Sequence, residues 1–159
     1  MGLIKKISDK LNRGTEILIA ILLAVMSIVI FMQVVYRYVF HASLPWSEEL
    51  GRYILVYLTF LGASVAVKRN SHIGVEMVVK LLPRSIAKVL EWVANAISFV
   101  FFAILIVYGS KVVKITMTQL SPAMHVKMGY IYMAVVIGAV LMTMHLLARS
   151  FQIDEVEGK

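Results

Sequence analysis

Residues 44–70 read LPWSEELGRYILVYLTFLGASVAVKRN, a charged cluster followed by an apolar run that ends at a basic pair. The uncharged part, 53–67, has 15 residues. As a helix it would measure roughly 22 Å, against about 30 Å for the hydrocarbon core of a bilayer. Counting from Trp46 gives 22 residues and roughly 33 Å by the same rise. The stretch therefore predicts a spanning helix that carries Glu48, Glu49 and Arg52 into the headgroup zone or against other protein.

The composition of the whole chain is that of an integral membrane protein. Apolar residues make up 60% of the 159 residues, charged residues only 16%, and the mean hydropathy is +0.86. Three further stretches, 17–35, 92–110 and 128–148, lack Lys, Arg, Asp and Glu and are long enough to span. Their apolar residues are continuous, without the alternation of a membrane β-barrel. We therefore predict an all-α membrane protein with four transmembrane helices.

The basic residues predict how these helices are oriented. With both termini in the cytoplasm, 11 Lys and Arg fall on the inner side and 5 on the outer side, as the positive-inside rule requires. This distribution explains the net charge of +7 better than nucleic-acid binding does, because the cations are spread over several loops. The predicted single membrane domain, 1–159, has spans at approximately 15–38, 46–67, 89–112 and 128–149, and interfacial amphipathic segments at approximately 3–13 and 71–82.

The charged cluster at the start of the second span is the first candidate site. Glu48 and Glu49 lie four and three residues before Arg52, so one helix face can neutralise its own charge, and Arg37 across the short link could join it. We expect an ion-pair cluster that fixes the hairpin; a contact with a partner subunit and a coupling-ion site are the alternatives. Ser47 is a candidate N-cap, and Trp46 is a candidate interfacial anchor or partner contact.

Small residues form the second candidate feature, since they let helices approach closely in membranes. They predict packing within the chain or, alternatively, a face for a partner subunit. These residues are Gly62, Ala63, Ala66, Ala134 and Gly138.

The chain offers little for catalysis or cofactor binding. It has no cysteine, no G-x-S-x-G or H-E-x-x-H motif and no Gly-rich phosphate loop, so we expect neither an enzyme nor a metal site. Two histidines on each predicted side, His72 with His145 and His41 with His125, could in principle hold a haem between helices. We expect no cofactor. A homo-oligomeric channel is disfavoured because the spans carry few polar residues.

The opening stretch resembles the small membrane subunit of tripartite ATP-independent periplasmic (TRAP) transporters, the DctQ-like family. A shorter likeness precedes the last span, in Ser121-Pro-Ala123 and Met128-Gly-Tyr-Ile-Tyr132. Tyr57, where relatives often have Trp, and Lys127, in place of an expected proline, depart from the family pattern. The main likeness is carried by Trp46-Ser-Glu-Glu-Leu50, Arg52-Tyr53, Phe60-Leu-Gly-Ala63, Ala66 and His72-Ile73.

The resemblance implies a small permease subunit in a bacterial inner membrane. Its implied partners are a large multi-span subunit that binds substrate and sodium, and a periplasmic substrate-binding protein that Lys127 could contact. The implied substrate is an organic anion such as a dicarboxylate or a sialic acid, and membrane lipids would surround the complex. The alternative from another class is a four-helix membrane anchor of a haem or quinone oxidoreductase.

Overall fold

Four helices account for nearly all of the described chain. The computed structural model describes residues 2–69 and 84–157. The helices are α1 (Gly2–Val39), α2 (Pro45–Lys68), α3 (Arg84–Thr116) and α4 (Met128–Glu157). Each contains a segment long and apolar enough to cross a membrane. The predicted all-α membrane fold with four spanning helices is thus confirmed.

The ends of the helices differ from the predicted spans. Residues 3–13 are helical, but they continue α1 instead of forming a separate surface helix. At 38 residues α1 measures roughly 57 Å, well beyond a bilayer core. Helices α3 and α4 also extend past the predicted limits of 89–112 and 128–149, whereas α2 exceeds 46–67 by one residue at each end. The second predicted surface segment, 71–82, lies outside the described residues.

Proline, not serine, sets the start of α2. Leu44 precedes the helix and Pro45 occupies its first position, where a fixed φ is favourable and no N–H is needed. The Ser47 hydroxyl donates to the Leu44 carbonyl at 2.7 Å inside this first turn. The prediction that Ser47 caps the helix is therefore wrong.

The helices form an open row in the order α1, α2, α4, α3. Helix α1 lies along α2 and reaches α4 through Ser8, and α2 and α4 are parallel neighbours. Among the described helices, α3 comes within 8 Å of α4 alone, measured between Cα atoms. Four spans therefore do not close into the bundle that their number suggests. Lipid tails are as apolar as leucine, so no hydrophobic force drives closure.

Close packing within the row occurs at small residues. A Cβ on Gly138 would lie 2.7 Å from the Phe60 Cβ and 2.9 Å from the Phe60 carbonyl oxygen, so α2 and α4 touch backbone to backbone there. Ala134 is fully buried. Gly62 differs, because nothing lies within 4 Å of the position its Cβ would take. The core next to these contacts comprises Phe102, Ala139, Met142 and Leu146, with Phe60, Ala63, Val67, Leu105 and Ile106 packed against it.

The two glycines allow a matched test of this packing. We expect Gly138→Ala to lower the free energy of unfolding by about 1–3 kcal/mol, because its new methyl group must displace the backbone of α2. Gly62→Ala should leave stability unchanged or slightly raise it, since the site is open and alanine favours helix. Thermal unfolding of the purified protein in detergent would measure both. Equal effects of the two substitutions would contradict a close α2–α4 contact at Gly138.

Candidate functional site

A buried carboxylate organises the end of the row that carries the α1–α2 and α3–α4 connections, here called the hairpin end. Glu49, in the first turns of α2, is only 2% exposed. Its Oε2 accepts hydrogen bonds from the backbone N–H groups of Ala123 at 2.9 Å and Met124 at 2.8 Å, and its Oε1 accepts one from the Tyr53 hydroxyl. A carboxylate can be buried without a cationic partner when several donors satisfy it in this way. Glu49 thus joins α2 to a loop more than 70 residues later.

The loop that binds Glu49, residues 117–127, is stabilised by hydrogen bonds between its own residues. The Ser121 N–H donates to the Val126 carbonyl at 2.9 Å, while the Val126 N–H donates to the Ser121 hydroxyl at 3.1 Å. His125 takes a left-handed conformation with φ 54°, which histidine adopts more readily than most residues. This turn aims two consecutive N–H groups at Glu49.

The same face of α2 continues the contact along the start of α4. Tyr53 and Tyr57 lie one and two turns after Glu49, at i+4 and i+8. The Tyr57 hydroxyl donates to the Tyr130 carbonyl at 2.7 Å, and the Tyr53 hydroxyl lies 3.5 Å from the Met128 sulfur. Three polar residues at four-residue spacing therefore bind one loop and one helix start.

The predicted ion pairs at this end do not form. Among the described residues, neither Arg37, Glu48 nor Arg52 takes part in a salt bridge, and all three are exposed. The Glu49 carboxylate instead accepts hydrogen bonds from the loop N–H groups of Ala123 and Met124. Trp46 is 37% exposed and Lys127 is also exposed. The structure thus separates the predicted cluster into one buried carboxylate and an exposed, mostly basic surface.

A second polar cluster lies at the opposite end of the row, here called the termini end. The Lys68 ammonium pairs with Asp9 at 2.8 Å and donates to the Ser8 hydroxyl at 2.9 Å. The Ser8 hydroxyl is also 2.9 Å from Nδ1 of His145. Ser8 and His145 are each only 2% exposed. We call these four residues the clasp, because they join α1, α2 and α4.

A neighbouring ion pair extends the attachment of α1 to α2. Arg69 pairs with Glu16 at 2.8 Å, and Glu16 also accepts a hydrogen bond from the Asn12 amide at 2.7 Å. Asp9 and Glu16 are seven residues apart, which places them on one face of α1 two turns from each other. The two cations that end α2 thus bind two acids on α1, and both sit where the helix dipole favours positive charge.

Sequence reasoning identified Lys68 and Arg69 only as a basic stop, and it missed the clasp entirely. The available signal was the presence of Ser8, Asp9, Asn12 and Glu16 on one face of α1. The predicted interfacial segment 3–13 rests on the apolar stripe of Leu3, Ile4, Ile7 and Leu11 on the other face. The described histidines that were considered as haem ligands have a different contact or lie in loops. His145 bonds to Ser8, His41 and His125 lie in left-handed loop positions, and His72 is outside the described residues. In the described part, no group of three or more His, Asp or Glu could hold a metal ion.

Both polar sites bind parts of this chain to one another. The buried carboxylate and the clasp residues form their hydrogen bonds with neighbouring helices or loops of this chain. The exposed surfaces include the apolar flank of the row and the basic surface of the hairpin end, around Arg37, Arg52 and Lys127. In the described residues, both sites therefore join elements of this chain.

Comparisons with known proteins agree with this description. The sequence model for the DctQ component of tripartite ATP-independent periplasmic transporters matches residues 26–155. A Haemophilus influenzae protein named as a TRAP transporter small permease protein is 30% identical over 148 residues, covering 92% of this chain and 91% of that protein.

Two other relatives are named for particular transporters. The C4-dicarboxylate TRAP transporter small permease protein DctQ of Vibrio cholerae is 34% identical over 95 residues, which cover 60% of this chain and 40% of that protein. The isethionate TRAP transporter permease protein DctMQ of Oleidesulfovibrio alaskensis is 30% identical over 145 residues, covering 86% of this chain but only 22% of that protein. The extent of the family match and the near full-length similarity to a small permease protein show that this chain belongs to the DctQ component family of TRAP transporters.

Proposed function

We propose that this protein is the small permease subunit that anchors and widens the static part of a large TRAP transporter subunit. The large subunit would then move substrate across the membrane against this fixed support. The open row of helices is the observation that carries the proposal. Helices α1 and α3 are each covered along one side, so the row offers wide apolar flanks on which a second membrane protein can pack.

The partner is a large multi-span permease subunit. Support comes from the DctMQ relative, in which the similar segment is about a fifth of a much longer permease protein. When two such units occur in one chain, they are present in equal numbers. We therefore propose a one-to-one assembly, in which membrane lipids fill the flanks that the large subunit does not cover.

The hairpin end faces the periplasm in this proposal, and both termini face the cytoplasm of a bacterial inner membrane. The positive-inside distribution of Lys and Arg supports this orientation. The exposed cations Arg37, Arg52 and Lys127 then face the compartment of a periplasmic substrate-binding protein. An acidic surface on that protein would complement them.

The transported substrate is an organic anion, such as a dicarboxylate or a sialic acid. The names of two relatives, one for C4-dicarboxylate and one for isethionate, support an anionic substrate. Glu49 and the clasp bind other parts of this chain, so we place substrate binding and sodium coupling in the large subunit. This chain would act without a cofactor and without catalysis. Its family membership favours this function over the anchor of a haem or quinone oxidoreductase.

Glu49 and Glu48 provide a matched pair for testing the scaffold. Glu49→Gln replaces one acceptor oxygen by an NH₂ group, so Ala123 and Met124 lose a charged acceptor worth about 1.5–3 kcal/mol per hydrogen bond. We expect their amides to exchange hydrogen about ten-fold faster or more, and the yield of assembled transporter to fall. Glu48→Gln alters an exposed side chain and should change neither quantity. Apparent substrate affinity of the complex that does assemble should be normal. A changed affinity at full yield would contradict the scaffold.

Charge reversal at the hairpin end tests the proposed docking surface. We expect Lys127→Glu and Arg37→Glu to weaken binding of the periplasmic substrate-binding protein to the purified complex several-fold, because repulsion replaces attraction. The loss should be largest at low ionic strength. Lys6→Glu, exposed at the termini end, is the control and should leave binding unchanged. Docking that survives both reversals at the hairpin end would exclude this surface.

A further inference from the structure

One hydrogen-bond direction in the clasp follows from its donor, and the other depends on the tautomer of His145. The Lys68 ammonium can only donate, so the Ser8 hydroxyl oxygen accepts from it. The Ser8 hydroxyl and Nδ1 of His145 are 2.9 Å apart, and this nitrogen accepts from the hydroxyl when the neutral imidazole carries its hydrogen on Nε2. This arrangement requires a neutral imidazole that carries its hydrogen on Nε2. In the described part of the chain, Nε2 is buried and has no partner.

Protonation of His145 would oppose this arrangement in two ways. Nδ1 would become a donor and could no longer accept from Ser8. The new imidazolium would also lie close to the Lys68 ammonium, because both bind the same Ser8 oxygen. Histidine is the side chain whose charge ordinarily changes between about pH 5 and 8. We propose that the clasp is a pH-responsive latch, which holds the first part of α1 against α2 and α4 and releases it when His145 is protonated.

The charges around His145 do not compensate for an added proton. Asp9 on α1 is the nearby acid, and it already pairs with Lys68 on α2. Arg69, the next cation on α2, is paired with Glu16. At this level α3 contributes the apolar Phe102, which packs with Met142 and Leu146 of α4. Among the described side chains, one acid would thus face two cations.

The structure also places a hinge next to the latch. Gly14 lies between the clasp residues Ser8 and Asp9 and the Glu16–Arg69 pair, and nothing lies within 4 Å of the position its Cβ would take. Glycine weakens a helix at such a position. Release of the clasp would therefore free the segment before Gly14 while the Arg69 pair keeps the remainder of α1 on α2.

The released segment can bind the membrane surface instead of α2 and α4. Ile7 and Leu11 are 43% and 37% exposed while the clasp is closed, and Lys6 and Lys10 are exposed on the side away from it. A helix with an apolar stripe and flanking lysines binds the surface of an anionic membrane. The segment thus has two positions, one docked through its polar face and one lying on lipid through its apolar stripe.

Distance measurements between two spin labels would test the latch directly. The chain has no native cysteine, so Lys10→Cys on α1 and Leu147→Cys on α4 introduce two labels at exposed sites. In the full-length chain reconstituted in lipid nanodiscs, we expect one narrow distance at about pH 8, above the ordinary titration range of histidine. At about pH 5.5 a longer, broader distribution should gain about ten-fold in population relative to the narrow one, because the released histidine takes up a proton in its ordinary range while the docked one is opposed by Lys68. Aspartate and glutamate at ordinary sites stay ionised over this range.

Two substitutions decide whether His145 is responsible. His145→Asn keeps an acceptor oxygen close to the position of Nδ1 and does not titrate, so the narrow distance should persist at both pH values. Ser8→Ala removes the shared hydroxyl and should give the broad distribution at both. A label pair at the hairpin end, Ile115→Cys with Tyr130→Cys, should show no change with pH. A pH-independent distance in the parent chain, or the same pH dependence in His145→Asn, would overturn the proposal.

Discussion

The arrangement of the helices depends on how the charge of Glu49 is satisfied. An isolated carboxylate removed from water costs several kcal/mol, and here no cation within the described chain offsets that cost. Two backbone N–H groups and one tyrosine hydroxyl do so instead. Because the two N–H groups belong to the loop before α4, satisfying Glu49 brings α4 beside α2. The parallel pairing of two helices that are not consecutive in sequence follows from this contact.

Once α2 and α4 are paired, steric fit keeps them together. In a bilayer the helices gain little from hiding apolar surface, so close approach and van der Waals contact must supply the attraction. Gly138 allows the backbones of α2 and α4 to touch at Phe60. Gly129 has the same role between α4 and α3, since its Cβ would lie 2.9 Å from the Val113 carbonyl oxygen. Helix α4 therefore lies in the interior of the row, while α1 and α3 form its edges.

The sequence alone predicts the number and approximate position of the spanning helices, because an uncharged apolar run of roughly 20 residues is typical of a membrane span. The sequence does not, however, predict the partners of the charged residues. Spacing rules concern neighbours on one helix, and they suggested an Arg52 pair for Glu49. Its actual partners are Tyr53 on the same helix and two backbone N–H groups some 74 residues away. Gly62 and Gly138 look equivalent as small residues, but only the arrangement of neighbouring helices distinguishes an open site from a close contact. Likewise, the apolar stripe of residues 3–13 suggested a surface helix. The acids on the other face pair with cations at the end of α2, some 50 to 60 residues away, and spacing within one helix does not reveal such partners.

The distribution of polar contacts agrees with the proposed supporting role. Polar links at both ends join the helices to one another, and these links are supplied from within the chain. A partner subunit therefore does not have to provide charges or hydrogen bonds to hold the row in shape. It can bind through apolar contact along the flanks, where steric fit decides the strength of association. In the proposed assembly, such a support would bind the large subunit without contributing groups to its substrate site, which agrees with relatives that are named for different substrates.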